Sequence, residues 1–238
     1  MKNAMSENNS TEKILCVSGA LVDELAPDNQ FTPVKYFGSL EQVKQKIFST
    51  AEFLPRPDVE NNPAHRQLIP YIVIRHVDSI DDQSQRIDVF RYKNANKTSI
   101  GIWGHTNEDD SLFLQKQSII VKAGETNWGT VLRRTCQRKI KEEIKLTIGN
   151  TAQFRFMGVV RNSADDIGKV RLGIVYVLDV GIARDRVNVI KIQDADLSKG
   201  EFVEWSVLKK DTTLDVWSRL IVDSYMLDTE TTSGIVSI

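Results

Sequence analysis

The stretch Asn127–Leu146, NWGTVLRRTCQRKIKEEIKL, constrains this chain more than any other. Trp128, Leu132, Cys136, Ile140 and Ile144 recur every four residues, with Val131 beside them. That spacing draws one apolar stripe down an amphipathic helix. Thr126 or Asn127 can cap its start. At about 100° per residue, Lys139, Glu142 and Glu143 fall within about a third of the circumference, beside the stripe. Two carboxylates and an amine therefore project together from a helix anchored in a core. The bland alternative is a solvated charged face.

Around this helix the chain reads as strands. Ile14–Val17 predicts a short strand and Ala26–Lys35, with two prolines, a connecting loop. Ser39 opens a helix, with Gln42 completing a capping box and Leu40, Val43, Ile47 and Phe48 on one face. Four prolines between Phe53 and Tyr71 predict an extended or turning segment that is not helical. It is either a structural strap or a lip of a cleft, with Arg56 or Arg66 reaching an anion. Leu68–His76, Arg86–Tyr92, Ser99–Trp103 and Leu112–Val121 read as strands before the helix. Gln153–Val160, Val170–Val180 and Glu201–Val207 read as strands after it, and Thr213–Leu227 as a closing helix. The expected fold is a mixed α/β sandwich. Residues 1–53 are expected as an extension packed on a core domain of 54–228, with 229–238 as a tail, because a piece so short has little core of its own.

At 238 residues the chain can bury a sizeable core, and a net charge of −1 gives no reason to expect nucleic acid or a membrane surface. No run of about 20 apolar residues suggests a membrane span. The polar start MKNAMSENNSTEK does not read as a secretory signal. Cys16 and Cys136 make no disulfide framework or zinc spacing, so cytoplasmic location is the default expectation.

Residues Gly124 to Leu146 resemble the signature of the Nudix (MutT-type) pyrophosphohydrolases. Arg138, the apolar Ile140 and Leu146, and the pair Glu142–Glu143 match that signature. Thr130 and Lys139 stand where it has glutamates, and Lys145 where it has glycine. Further segments resemble a subgroup of MutT-related predicted phosphoesterases. These are FLPRPDVENNPAHRQLIPYIVI, Ser99–His105, FMGVVRNSADDIGKVRLGIVYVLDV, Phe202–Trp205 and Leu214–Leu220. Together they cover Leu54 to Leu220 in order.

The resemblance implies a Nudix sandwich and hydrolysis of a nucleoside diphosphate linked to another moiety. Magnesium, or manganese, would act there as Lewis acid and template. It also implies a ligand cluster at the positions held here by Lys139, Glu142 and Glu143, with Arg138 orienting the acids. Two ligands are therefore present and one is inverted in charge. An ammonium within about 5 Å of a divalent ion opposes it by several kcal/mol at an effective dielectric of about 20. Glu125, in a Gly-Glu-Thr turn before the helix, is the candidate third metal ligand. Glu108, Asp109 and Asp110 are expected to be able to fold back toward the helix, and Glu201 and Glu204 lie where relatives supply a further acid.

His105, Arg66 and Lys139 are the candidate substrate-binding residues, and Tyr71, Phe90 or Trp103 is able to stack on a base. Two expectations stand side by side. One is a metal-dependent hydrolase of a nucleotide-like pyrophosphate using Glu142, Glu143 and Arg138. The other is a Nudix-fold module that binds such a molecule, or scaffolds a partner, without splitting it. A homodimer is left open.

Overall fold

The spine of the molecule is β4, His65–Val77, a strand rich in Ile, Val and Tyr that reaches the core on both faces. In the computed structural model the described residues are 12–37, 40–77, 87–111, 128–144, 146, 154–180, 192 and 197–224. The other strands are β1 Lys13–Ser18, β2 Gln30–Pro33, β3 Glu52–Pro55, β5 Ile87–Asn94, β6 Lys97–Ser99, β7 Gly101–Trp103, β8 Phe154–Arg161, β9 Arg171–Val180 and β10 Leu197–Glu204. They form one mixed sheet in the order β10-β5-β4-β9-β8-β2. β4 and β9 run parallel from Gln67↔Arg171 to His76↔Val180, and the remaining pairings are antiparallel.

The second edge of β4 is shared. β1 pairs with its start, β7 with Tyr71–Val73, and β5 with its end. Pro70 falls between the β1 and β7 registers, on a stretch of this edge that neither strand pairs. β1, from the expected N-terminal extension, is thus a strand of this sheet, paired with both β3 and β4.

Alternation assigns the faces. Leu68, Ile72, Ile74, Leu172, Ile174, Tyr176 and Leu178 enter one core layer. Tyr71, Val73, Val175 and Val177 enter the other. Helices α1 Gly19–Leu25, α2 Leu40–Phe48 and α4 Trp128–Glu143 contribute to the first layer. Helices α5 Trp205–Lys210 and α6 Val216–Ser224 cover the second. The short α3, Arg56–Val59, packs at the β1 edge through Val59. The expected mixed α/β sandwich is the fold the chain adopts.

The stripe on α4 is buried as its period requires. Val131, Leu132, Cys136, Ile140 and Ile144 are wholly buried. Each of the aliphatic ones contributes about 1.5–3 kcal/mol by leaving water. Trp128 anchors the first turn against Phe53 and Phe48, with ring centroids 5.7 and 6.3 Å away.

Several expectations are corrected. Within Ala26–Lys35, Gln30–Pro33 is an edge strand on β8; four residues are too short to show a period, and its proline sits at the strand end. The proline-rich segment contains one helical turn, Arg56–Val59, because Pro57 lies in the first turn, where its missing N–H has no intrahelical partner. Ser99–Trp103 is two strands on different partners, β6 on β5 and β7 on β4. Trp205–Val207 is helical rather than strand, with Leu208 rather than Val207 buried. The closing helix is described as Val216–Ser224, and the Asp215 carboxylate accepts the Ser218 N–H at its start. Ser39 and the Leu112–Val121 strand lie outside the described residues.

Candidate functional site

After β7 the chain leaves the sheet at Gly104 and passes between α4 and the β1 edge. Leu15 N–H donates to Thr106 O at 2.8 Å and holds this passage against β1. A helical turn at 108–111 follows and returns Asp110 to the helix. Asp110 is buried and takes a two-pronged bond from Arg138, Nε to Oδ1 at 3.0 Å and Nη2 to Oδ2 at 2.8 Å. The Thr135 hydroxyl donates to the same carboxylate at 2.9 Å. Arg138 Nη2 also donates to His105 O at 2.9 Å, and Nη1 reaches Glu142 at 3.3 Å. These carboxylates hold the Arg138 guanidinium protonated more firmly than usual, in spite of its burial. Asp110 is the acid, among the three named, that folds back. Asp109 is exposed, and Glu108 pairs with Lys13 at 3.3 Å.

Lys139 does not point to solvent. Its stem lies across Gly104, so close that a Cβ there would come within 2.0 Å of Lys139 Cε. Its ammonium is 2.9 Å from Glu142 Oε2 and 3.9 Å from Glu143 Oε1. The cation therefore sits between the paired glutamates. This donor set does not suit a hard dication, which wants carboxylates and water around it. Among the described residues no three His, Cys, Asp or Glu side chains are grouped to hold a metal ion. Glu125 lies outside the described residues.

His105 is turned inward. Gln67 donates through Nε2 to Val59 O at 3.2 Å, which leaves its Oε1 facing His105 Nε2 at 3.0 Å. The imidazole must then carry its proton on Nε2. Burial, followed by Arg171, Arg56, Lys139 and Arg138, lowers its pKa to about 3. The charges acting on it are all cations.

Arg171 was not foreseen. It opens β9 beside Gln67, and its guanidinium lies 5.2 Å from the Trp103 ring centroid. Burial and the neighbouring Arg56 both lower its pKa. As the second residue of the expected strand Val170–Val180 it carried no signal beyond its type. Arg66, predicted to reach a ligand, is buried on structural duties. It bonds Pro63 O and Lys169 O and pairs with Asp23 at 3.2 Å. Glu201 pairs with Arg91 at 2.7 Å, and Ser206 donates to Glu204 at 3.4 Å. Tyr71 and Phe90 are core residues.

No family model matches the chain. Protein YmaB of Bacillus subtilis (strain 168) is 23% identical over 185 residues, which span 76% of this chain and 82% of that protein. The crystal structure of Tm1382, for which a Nudix hydrolase function has been put forward, matches with a TM-score of 0.65 at 21% identity. It covers 89% of this chain and 97% of that one. Two further structures cover 66% of this chain. One is the NUDIX domain of Shewanella oneidensis NrtR complexed with ADP ribose, with a TM-score of 0.39, 16% identity and 84% of that chain covered. The other is a mutT/nudix family protein from Listeria innocua, with a TM-score of 0.38, 12% identity and 88% covered.

Proposed function

We propose that the chain, whose fold is like that of Tm1382, binds a nucleotide-like pyrophosphate where Lys139, His105 and Arg138 meet, and holds it without metal-dependent hydrolysis. The observation that carries this reading is Lys139. Its ammonium is 2.9 Å from Glu142 and stands between the two acids that a metal would need. The same lysine belongs to a set of four cations, with Arg138, Arg56 and Arg171, that act on neutral His105. An anion entering there gains charge-assisted bonds without meeting an imidazolium that must first be made. Arg138 holds the passage through His105 O and Asp110, so the donors are preorganised.

A second reading, hydrolysis, is supported by the same arginine. Arg138 joins Asp110 to Glu142, so part of an acidic cluster is in place. Turnover then requires Lys139 to rotate off Gly104 and release Glu142 and Glu143.

The test is calorimetry with α,β-methylene ADP beside a phosphate-release assay on a nucleotide panel with magnesium. Binding that falls about tenfold in Lys139→Gln, with no phosphate release by the wild type, is expected. Magnesium-dependent release that is lost in Glu143→Gln would establish the hydrolase instead.

A further inference from the structure

On the sheet face opposite α4 lies a hollow of about 340 Å³ that neither the helix nor the paired glutamates explain. Trp103 and Trp217 line it, and Arg171 stands in its wall. Among the described residues Arg171 makes no ion pair, its buried Nε has no hydrogen-bond partner, and Asp165 and Glu60 act on it from beyond ion-pair distance. A guanidinium so placed is a donor fork held in readiness for an oxyanion.

The rest of the hollow suits a flat ring. Trp217 lies directly on the sheet because residue 173 is glycine; a Cβ there would be 3.0 Å from its Cζ3. Tyr71 braces Trp217 edge-on, with ring centroids 5.8 Å apart, and its own hydroxyl is tied to Ser218 at 2.8 Å. Ile167 and Val216 also line the hollow, 58% and 50% exposed. They are two of the few large apolar side chains left in water among the described residues, and both sit at one opening. Asp165, on the same wall, accepts Gly168 N–H at 2.6 Å through one oxygen. Its carboxylate has further lone pairs for a ring-edge donor.

We propose that this hollow is a recognition site for an aromatic anion, with the ring against Trp103 and Trp217 and the phosphate or carboxylate on the Arg171 fork. The site rests on the pyrophosphate reading only for its place in one longer ligand. Arg171 opens β9 next to Gln67, which bonds His105, so the Arg171 end of the hollow lies toward the histidine on which Lys139 also acts.

The experiment is calorimetry of the full chain with adenosine monophosphate, uridine monophosphate, adenosine and ribose 5-phosphate. The wild type is expected to bind at least one of the nucleotides at millimolar concentration or better, and more tightly than either fragment. Arg171→Gln should weaken that nucleotide at least about tenfold while leaving adenosine unchanged. Trp103→Leu should weaken adenosine and the nucleotide alike. If Arg171→Gln melts early, Arg171→Lys carries the test, with an expected loss of about threefold because charge stays and the fork goes. Nucleotide binding indifferent to Arg171, or none at all at millimolar concentration, overturns the proposal. Binding of α,β-methylene ADP that needs Lys139 but not Arg171 overturns it while sparing the pyrophosphate reading. Nucleotide binding that needs Arg171, with the diphosphate indifferent to Lys139, does the reverse.

Discussion

His105 should make this protein acid-sensitive through one residue. The unfolded imidazole titrates at about 6.5. The folded one is lowered to about 3 by burial and by Arg171, Arg56, Lys139 and Arg138. Above the unfolded value the ring is neutral in both states and contributes no pH dependence. Between the two values the unfolded chain binds one more proton than the folded chain, so stability falls as pH falls. The slope approaches about 1.4 kcal/mol per pH unit, and the loss at about pH 5 relative to neutral pH comes to about 2 kcal/mol. For a chain of this size that is about 4–8 °C in melting temperature. The assay is urea unfolding of wild type and His105→Asn at both pH values. Asparagine cannot titrate, so its constant cost cancels in the difference between pH values. The expected double difference is about 2 kcal/mol, with the wild type losing more. Equal pH dependence in the two proteins would refute a buried, neutral His105.

Arg138→Ala strips the buried Asp110 of its cation and should cost about 3 kcal/mol, read as a fall of about 6–12 °C in melting temperature. Gly158 sits at the β8 bulge with φ +149°, and a Cβ would lie 2.2 Å from Thr32 O. Gly158→Ala should therefore lose more than about 1 kcal/mol in urea unfolding. Gly104→Ala should push Lys139 off the passage with little loss of fold, because what it meets is the end of a flexible side chain. Its magnesium affinity in calorimetry should exceed that of the wild type.

The central helix was legible because burial imposes a strict period: Leu132, Cys136 and Ile140 have to fall on one face. Long strands were legible for the same reason. Short elements were not. Gln30–Pro33, Arg56–Val59 and Trp205–Lys210 are fixed by their neighbours in the sheet and by single prolines, and four to six residues display no period. In the site, the charge inversion at Lys139 could be read directly from the helix. Its consequence could not, because the side chain's path depends on Gly104 approaching from another element. Which acid would return to Arg138 depended on the turn at 108–111. Arg171 and Gln67 gave no signal, since their importance comes from the β4–β9 register that sets them side by side. Arg66, one residue earlier on β4, points to the opposite side and serves Asp23 and the turn carbonyls instead.

The Lys139 ammonium holds the place between Glu142 and Glu143. Magnesium calorimetry of the wild type and of Lys139→Glu tests this most directly. Removing the cation and adding a third carboxylate should raise magnesium affinity at least about tenfold, from weak binding in the wild type. Equal affinity in the two proteins would contradict the account, because Lys139 would then not be what keeps the paired glutamates from a metal.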